Sequence, residues 1–286
     1  MKNSVCILCA FTFIFGFSVK SFSQQQQETT PRDGVYDRVN ISEKKPVPYV
    51  NVREADVFWK KRVWEVIDFR EKMNQPFYYP EVPHNNWKSF MTVIMEALKD
   101  GSLTAYDATS STDEFNLPLT YQEIISKYDK TDTIQKQSPN PPYATYDTVI
   151  VSKFNPADVK KIRIKEDWFF DKQRSVMDVR IIGICPVTDN FDEKGNFRGV
   201  EPMFWIYFPE ARPIFAKTEV FNRFNGAAQL TYDDLFWKRI FSSYIYKVEN
   251  VYDRKIVDYS QGLDALLEAE QVKKDIFDFE QDLWEY

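Results

Sequence analysis

The amino-acid sequence predicts an α+β fold, with a mostly antiparallel sheet flanked by helices and a long C-terminal helix. Apolar residues recur at helical spacing near both ends of the chain, whereas residues 146–208 contain four strand-like segments. The turn-forming sequence FDEKGNFRG separates the last two segments, which is typical of an antiparallel hairpin. Helices, then a run of strands, then helices favour α+β over an alternating parallel architecture.

The first 23 residues have the composition of a secretory signal peptide. Lys2 precedes an apolar run of about 13 residues, and small residues stand at Ser21 and Ser23. A membrane-spanning helix needs roughly 20 apolar residues, so the run predicts export and no direct membrane span. Residues 24–50 are polar and contain prolines, which predicts a flexible N-terminal arm. We therefore expect an exported protein.

Cysteine and charge content limit the possible functions. Cys6 and Cys9 lie inside the apolar run, which disfavours lipidation at Cys9. The mature chain retains one cysteine, Cys185, so an intramolecular disulfide is impossible. The formal net charge is −6, and the predicted signal peptide carries cations but no acids, so the mature chain is more acidic still. Because nucleic-acid binders usually have a basic surface, no nucleic-acid partner is expected.

Helical periodicity and capping residues predict the helices. Capping boxes at Thr120 with Glu123 and at Thr231 with Asp234 mark two helix starts, and Gly101 suits the end of another helix. The predicted helices cover about 54–74, 86–99, a short segment after Thr120, 232–247, and the C-terminal segment 259–286.

The strand-like segments belong to a predicted core domain at 51–258. A turn at Lys194–Asn196 is expected to join the last two strands, and the polar, proline-rich residues 129–145 predict a long surface loop. The predicted strands are YDTVIVSKF (146–154), KIRIKEDWFF (161–170), SVMDVRIIGICPV (175–187) and PMFWIYF (202–208).

Aromatic residues beside adjacent cations make the segment ADVFWKKRVWEVID (55–68) distinctive. On the predicted helix, Trp59 and Trp64 lie about 140° apart, so one is expected to pack inward and the other to lie near the boundary. The pattern D-x-F-W-K occurs at 56–60 and again at 234–238. We interpret the two segments as similar amphipathic helices rather than as a duplication, because they diverge immediately afterwards.

Residues that could support catalysis or metal binding are few. His84 is the single histidine and has no ligand-spaced Cys, Asp or Glu, and Cys185 lies in an apolar strand as an expected inert thiol. Asp178 and Arg180 share one strand face and are expected to form an ion pair. No phosphate-binding loop or nucleophile elbow is present. The sequence therefore predicts no catalytic residue, no metal site and no cofactor.

The tryptophans fit binding better than chemistry, although for Trp59 and Trp64 packing in the protein's own core beside solvated cations is favoured over an interface. Residues 202–208 are large and apolar on both strand faces, and the C-terminal helix has a heptad-like seam, which is expected to pack on the protein's own core in preference to docking a partner. The candidate interface residues are Trp59, Lys60, Lys61, Arg62, Trp64, Trp205, Tyr207, Trp237, Phe279, Leu283 and Trp284.

Three long strings resemble the gliding motility family GldN, called PorN in non-gliding relatives. They are FWKKRVWEVIDFREKMNQPFYYP (58–80), VMDVRIIGICPV (176–187) and FWIYFPEARPIFAKTEVFNRFNGAAQLTYDDLFWKRIFSSYIYKVENVYDRKI (204–256). The resemblance extends over nearly the whole predicted mature chain.

The resemblance implies a structural component of the type IX secretion system of Bacteroidota. It implies that the protein assembles with a GldK/PorK-like lipoprotein into a ring at the periplasmic face of the outer membrane. It also implies self-association within the ring and contact with a motor that contains a GldM/PorM-like subunit, in support of secretion of proteins and adhesins. It implies no catalytic motif.

Two other functions remain open at the level of sequence. A periplasmic cell-wall enzyme would use scattered carboxylates such as Asp178, Glu201 and Glu210, and a glycan- or peptidoglycan-binding module would use the abundant Trp and Tyr residues.

Overall fold

A computed structural model describes residues 40–84, 87–109, 113–137, 145–191, 196–222, 225 and 227–283. All of them lie in one compact unit, Val39–Tyr286. The predicted signal peptide, most of the predicted arm and Trp284 lie outside the described residues, so the predictions made for them stay predictions.

The described residues form ten β-strands, all of whose pairings are antiparallel. The main sheet has the order β10-β1-β6-β7-β9-β2-β3, with β8 beside β7, and β4 and β5 form a separate two-stranded ribbon. The strands are β1 (Val57–Asp68), β2 (Ala105–Asp107), β3 (Pro118–Leu119), β4 (Lys130–Gln137), β5 (Thr145–Ser152), β6 (Lys161–Asp171), β7 (Val176–Phe191), β8 (Phe197–Pro202), β9 (Phe204–Tyr207) and β10 (Tyr244–Val248).

Six α-helices are described, and they confirm the α+β fold with its long C-terminal helix. Both predicted capping boxes are present, at Thr120 with Glu123 and at Thr231 with Asp234. Gly101 follows its helix at φ +70°, a left-handed conformation that glycine adopts without a steric penalty. The helices are α1 (Gln75–Tyr78), α2 (Phe90–Lys99), α3 (Tyr121–Tyr128), α4 (Phe208–Lys217), α5 (Tyr232–Trp237) and α6 (Leu263–Asp282).

The helices cover one face of the main sheet, which we call the helical face. Ile162 and Ile164 of β6 contribute to a large core on this face together with residues of α1 to α5. Closely spaced aromatic rings fill its centre, and the buried Tyr232 hydroxyl donates a hydrogen bond to the Lys88 carbonyl oxygen at 2.8 Å. The burial of these rings is a major contribution to the stability of the fold.

Helix α6 packs on a second core cluster at the β10 end of the sheet. Ala265, Ala269 and Ile276 of its seam are buried against Val63 and Ile245. These contacts confirm that the seam packs on the protein's own core.

The opposite side of the sheet, which we call the open face, has a different covering. Arg163 and Lys165 of β6 point to this side, because successive residues of a strand alternate between faces. Its small core cluster consists of strand residues and of residues from the β2–β3 loop. The open face therefore combines charged residues with a cluster of aromatic residues.

The predicted helix at 54–74 is wrong, because residues 57–68 form the 12-residue strand β1. Trp59, Val63 and Ile67 are separated by four residues, a spacing that satisfies both the period of a helix and the two-residue period of a strand. β1 is inserted between β6 and β10 and is buried on both faces near its centre, which removes the simple alternation expected of a half-exposed strand.

The predicted helix at 232–247 is confirmed only for its first half. α5 ends at Trp237, Arg239 adopts φ +50°, and residues 244–248 form edge strand β10. A non-glycine residue with positive φ cannot continue a right-handed helix. The two D-x-F-W-K segments therefore adopt different structures, so their interpretation as two similar helices is wrong and nothing supports a duplication.

The predicted loop at 129–145 is also wrong over 130–137, because β4 pairs along its whole length with β5. Residues 138–144 lie outside the described part of the chain. The predicted pairing of the later strands is confirmed, since Gly183 and Ile184 of β7 face Tyr207 and Ile206 of β9, and β8 continues along β7. Most of the expected turn at Lys194–Asn196 lies among residues that are not described.

The last part of the predicted arm is packed against the core. Ile41 is buried, and Lys44 forms an ion pair with Asp234 at the start of α5. The Arg180 guanidinium donates a hydrogen bond to the Val50 carbonyl oxygen. Most of residues 41–50 are nevertheless exposed, and none of them lies in a helix or strand, so the arm stays a prediction.

Candidate protein-interaction surface

The open face is centred on two tryptophans that the sequence proposed as interface residues. Trp64 and Trp205 are only 5% and 2% exposed and form a cluster with Cys185 and Val187. They are structural residues of the protein's own core, so they present no surface to a partner in this conformation.

A loop between β2 and β3 covers these tryptophans. The Phe115 ring packs edge-on against Tyr106, Trp205 and Tyr207 at centroid distances of 5.4, 6.5 and 5.4 Å. An ideal Cβ at Gly183 would lie 2.7 Å from Phe115 Cζ. The absence of a side chain at Gly183 therefore creates the space that the Phe115 ring occupies.

Two lysines flank the Trp64 ring on the open face. Lys247 Nζ lies 4.5 Å and Lys165 Nζ lies 5.9 Å from the ring centroid, within the range of cation–π attraction. Lys165 donates a hydrogen bond to the Asp113 carbonyl oxygen at 2.7 Å, and Lys247 pairs with Asp253 at 2.7 Å. Burial, followed by the nearby Arg62 charge, lowers the pKa of Lys165.

The cations next to Trp59 are paired across the sheet. Arg62 binds both carboxylate oxygens of Asp167, at 2.6 and 3.0 Å, and Lys60 binds the same group at 2.9 Å. Burial opposes ionisation of Asp167, but the hydrogen bonds from Arg62 and Lys60 prevail and lower its pKa. Lys60 and Arg62 thus pair with a carboxylate on the neighbouring strand. Their two-residue spacing is the period of a strand, so it could have indicated that both side chains lie on one face of a strand.

The remaining predicted interface residues are distributed over several surfaces. Trp59 is half-buried on the helical face, where its ring stacks on Phe279 of α6 at 4.9 Å. Leu283 is half-buried near the end of that helix. Tyr207 and Trp237 are 40% and 45% exposed, so each offers part of its ring to solvent. Their role in an interface stays a prediction.

Lys61 lies in a groove of about 460 Å³ between α6 and the residues that follow β10. Tyr252 and Tyr259 line the groove and are 73% and 52% exposed. The Arg254 guanidinium stacks on the Tyr252 ring at 4.3 Å. Exposed tyrosines and a stacked arginine are typical constituents of protein interfaces.

Trp237 belongs to a stack that the sequence did not reveal. The Arg212 guanidinium lies 4.4 Å from the Tyr49 ring centroid and 5.0 Å from that of Trp237. Arg212 also forms a buried two-hydrogen-bond pair with Asp233, at 2.9 and 3.3 Å. These residues come from the arm, α4 and α5, so no local sequence spacing could have brought them together.

A buried charge cluster lies beneath the α5–β10 connection. Arg239 donates hydrogen bonds to Glu166 at 2.8 Å and to Glu65 at 3.2 Å, and Ser243 donates to Glu65 at 2.7 Å. Burial and then repulsion by the Glu65 carboxylate raise the pKa of Glu166 to about 7, although Arg239 opposes both effects. Because every carboxylate here has a hydrogen-bond donor from the protein, the cluster has the character of a structural network.

The residues considered for chemistry do not form a reactive site. Burial raises the pKa of the Cys185 thiol to about 12, which confirms the expectation of an inert thiol. His84 is exposed and its ring packs edge-on against Trp87. Within the described ranges, His, Cys, Asp and Glu side chains form no group of three that could hold a metal ion.

The expected ion pair between Asp178 and Arg180 is corrected by the structure. Asp178 pairs with Arg174 from the β6–β7 turn at 2.8 Å. Arg180 instead stacks on Tyr49 at 5.1 Å and on Phe169 at 5.2 Å. Alternation along the strand predicted that Asp178 and Arg180 share one side of the sheet. Their partners, however, come from the β6–β7 turn, from the arm and from β6.

Comparison with known families gives a match over almost all of the described unit. Residues 52–285 match the family described as "Gliding motility associated protein GldN". The chain belongs to the GldN family. This confirms the resemblance read from residues 58–80, 176–187 and 204–256. A search of the curated proteins found no match.

Membership of the GldN family makes the chain a component of the gliding motility and type IX secretion machinery. The family is a structural one and is not a known enzyme family. Across the described residues, none of the helices combines the length and the apolar character that crossing a membrane requires.

Proposed function

We propose that this GldN-family chain is a periplasmic structural subunit of the type IX secretion and gliding machinery. In this proposal the protein assembles with a GldK/PorK-like lipoprotein into a ring at the inner face of the outer membrane. The ring contacts a GldM/PorM-like motor subunit and supports secretion of proteins and adhesins. The observation that carries the proposal is the family match over residues 52–285, which include nearly every described element of the fold.

The surface supports a role in assembly. Large apolar side chains are exposed at several separate places, among them Phe58 at 65%, Phe197 at 58% and Phe221 at 50%. Aromatic residues such as these are enriched in protein interfaces. A ring also requires contacts on two different sides of each subunit.

The alternative functions receive less support from the site residues. Trp64 and Trp205 are buried, so they cannot act as flat stacking platforms for a glycan. Each candidate acid has a partner in the fold: Asp178 pairs with Arg174, Glu201 pairs with Lys127 at 3.4 Å, and Glu210 accepts a hydrogen bond from the Thr104 hydroxyl at 3.3 Å. We therefore propose a structural role without catalysis.

The proposal is tested by affinity isolation of the tagged, full-length protein from its native envelope. We expect the lipoprotein and the motor subunit to be recovered with it, and ring-shaped particles to be visible by electron microscopy. An untagged strain provides the background. A clean deletion should abolish secretion and gliding, and a deletion strain that retains both would refute the assigned role.

A further inference from the structure

Helix α6 is apolar on two opposite sides. Ala265, Ala269 and Ile276 are buried against the core, whereas Leu263 and Phe277 are 70% and 57% exposed. At 100° per residue, the exposed residues lie on the side of the helix that faces away from the core. The helix therefore presents a second apolar surface for which the core supplies no cover.

The outward residues form a regular stripe. Leu263, Leu267, Glu270, Lys274 and Phe277 are separated by four, three, four and three residues, and all of them are exposed. This spacing places them in one line along the helix, as in a helix–helix contact seam. We call these five residues the outer stripe. Its two charges have opposite signs and lie at its centre.

We infer that the outer stripe binds the same stripe of a second copy of this chain, with the two α6 helices antiparallel about a two-fold axis near the level of residue 272. In that arrangement Leu267 of each copy faces Phe277 of the other, and Leu263 faces Gln281, which lies outside the stripe. Glu270 of each copy faces Lys274 of the other. Because the operation is two-fold, each favourable contact occurs twice.

Other helix pairings satisfy the outer stripe less well. A parallel two-fold pair would place Glu270 against the other Glu270 and Lys274 against the other Lys274. Like charges directly opposed across an interface disfavour association. An antiparallel pair displaced by seven residues would place Leu267 against Glu270. Charge complementarity and apolar matching therefore select both the partner, a second copy, and the register.

A single pair of helices buries less surface than a standard stable interface, so weak reversible dimerisation is expected. A two-fold contact uses the same surface of both copies, so it is additional to the contacts that close a ring. The inference rests on the proposed assembly role for its biological purpose. The dimerisation test uses the purified chain alone. The dimer can therefore be absent although the lipoprotein complex is isolated, and it can be present although that complex is not.

The test is sedimentation equilibrium of the mature chain over a range of concentrations. Glu270→Lys and Lys274→Glu each create repulsion across the proposed axis, and we expect each to raise the dimer dissociation constant at least about tenfold. An equimolar mixture of the two variants should dimerise again, because the cations of one variant then face the acids of the other. In the mixture each chain still carries two like charges at positions 270 and 274 of its own helix. Recovery of the dimer therefore cannot come from a change in repulsion within one helix.

Lys273→Glu is the matched control. It makes the same charge change on the same helix, but in the proposed register residue 273 faces Gln271, so dimerisation should be unchanged. The double variant E270K/K274E restores opposite charges within one chain and should dimerise like the wild type, which provides a second test if a single variant folds poorly. A monomeric wild type at all concentrations, or a mixture that stays monomeric, would overturn the inference.

Discussion

Gly183 and Phe115 show how one missing side chain shapes the open face. Adding a methyl group in Gly183→Ala would place Cβ 2.7 Å from Phe115 Cζ and 3.2 Å from the Ile206 carbonyl oxygen. Since both distances are shorter than ordinary contacts, the Phe115 ring must move away from Trp205 and Tyr207. We expect the free energy of unfolding to fall by about 1–3 kcal/mol, measured by urea denaturation.

The double variant G183A/F115A separates this clash from a general effect of alanine. Phe115→Ala removes the ring that the new methyl group would strike. The double variant should therefore lose less stability than the two single variants together. Strict additivity would show that the two sites do not interact.

Glu166 should make the stability depend on pH. Its pKa is raised from the ordinary 4.5 to about 7 by burial and by Glu65, so the native state binds this proton more tightly than the unfolded chain. The free energy of unfolding should therefore decrease as the pH rises from about 4.5 to about 7. Glu166→Gln, which cannot ionise, should flatten this part of the pH profile in urea denaturation. An unchanged slope in the variant would assign the pH dependence to other groups.

The two sides of α6 have different neighbours. Ile276 is 3% exposed and packs on the cluster of Val63 and Ile245, whereas its neighbour Phe277 is 57% exposed. We expect Ile276→Ala to reduce the free energy of unfolding by about 2–5 kcal/mol, because it leaves a cavity.

Phe277→Ala is the matched control for this prediction. In dilute solution, where the monomer predominates, it should change stability by less than about 0.5 kcal/mol. Thermal and urea denaturation of both variants would check the pair. Equal losses for the two residues would contradict the observed orientation of the helix.

Local sequence signals predicted the elements whose structure is decided locally. The capping boxes at Thr120 and Thr231 located two helix starts, and the seam of α6 correctly indicated its buried side. β1 was mistaken for a helix because the spacing of Trp59 and Val63 fits both periods. Its true structure depends on pairing with β6 and β10, which lie far away in the sequence.

The sequence predicted which residue types belong to the candidate interaction surface, but it did not predict which of them are buried. Aromatic and basic residues were identified at Trp59–Trp64, yet burial separates them: Trp64 lies inside the open-face cluster and Trp59 stacks on Phe279. Burial of this kind depends on which loop or helix covers a strand, and no local pattern in β1 encodes the β2–β3 loop.

At the scale of the whole molecule, the N-terminal arm joins parts of the fold that are distant in sequence. Lys44 pairs with Asp234 of α5, Tyr49 lies between Arg180 of β7 and Arg212 of α4, and Val50 accepts a hydrogen bond from Arg180. The family match begins only at residue 52. Contacts that stabilise this chain thus precede the part that identifies its family.

Deletion of residues 24–51 from the mature chain should therefore lower its stability without changing its fold. Tyr49→Ala should reproduce part of the loss, about 1–3 kcal/mol, because it removes the ring on which Arg180 and Arg212 stack. Val47→Ala is the matched control within the arm, since Val47 is 58% exposed and should have little effect. Urea denaturation would measure the losses, and circular dichroism would check that the secondary structure is retained. If the deletion variant were as stable as the full mature chain, the arm contacts would contribute nothing to the free energy of unfolding, and the arm would have to be assigned to contacts with a partner.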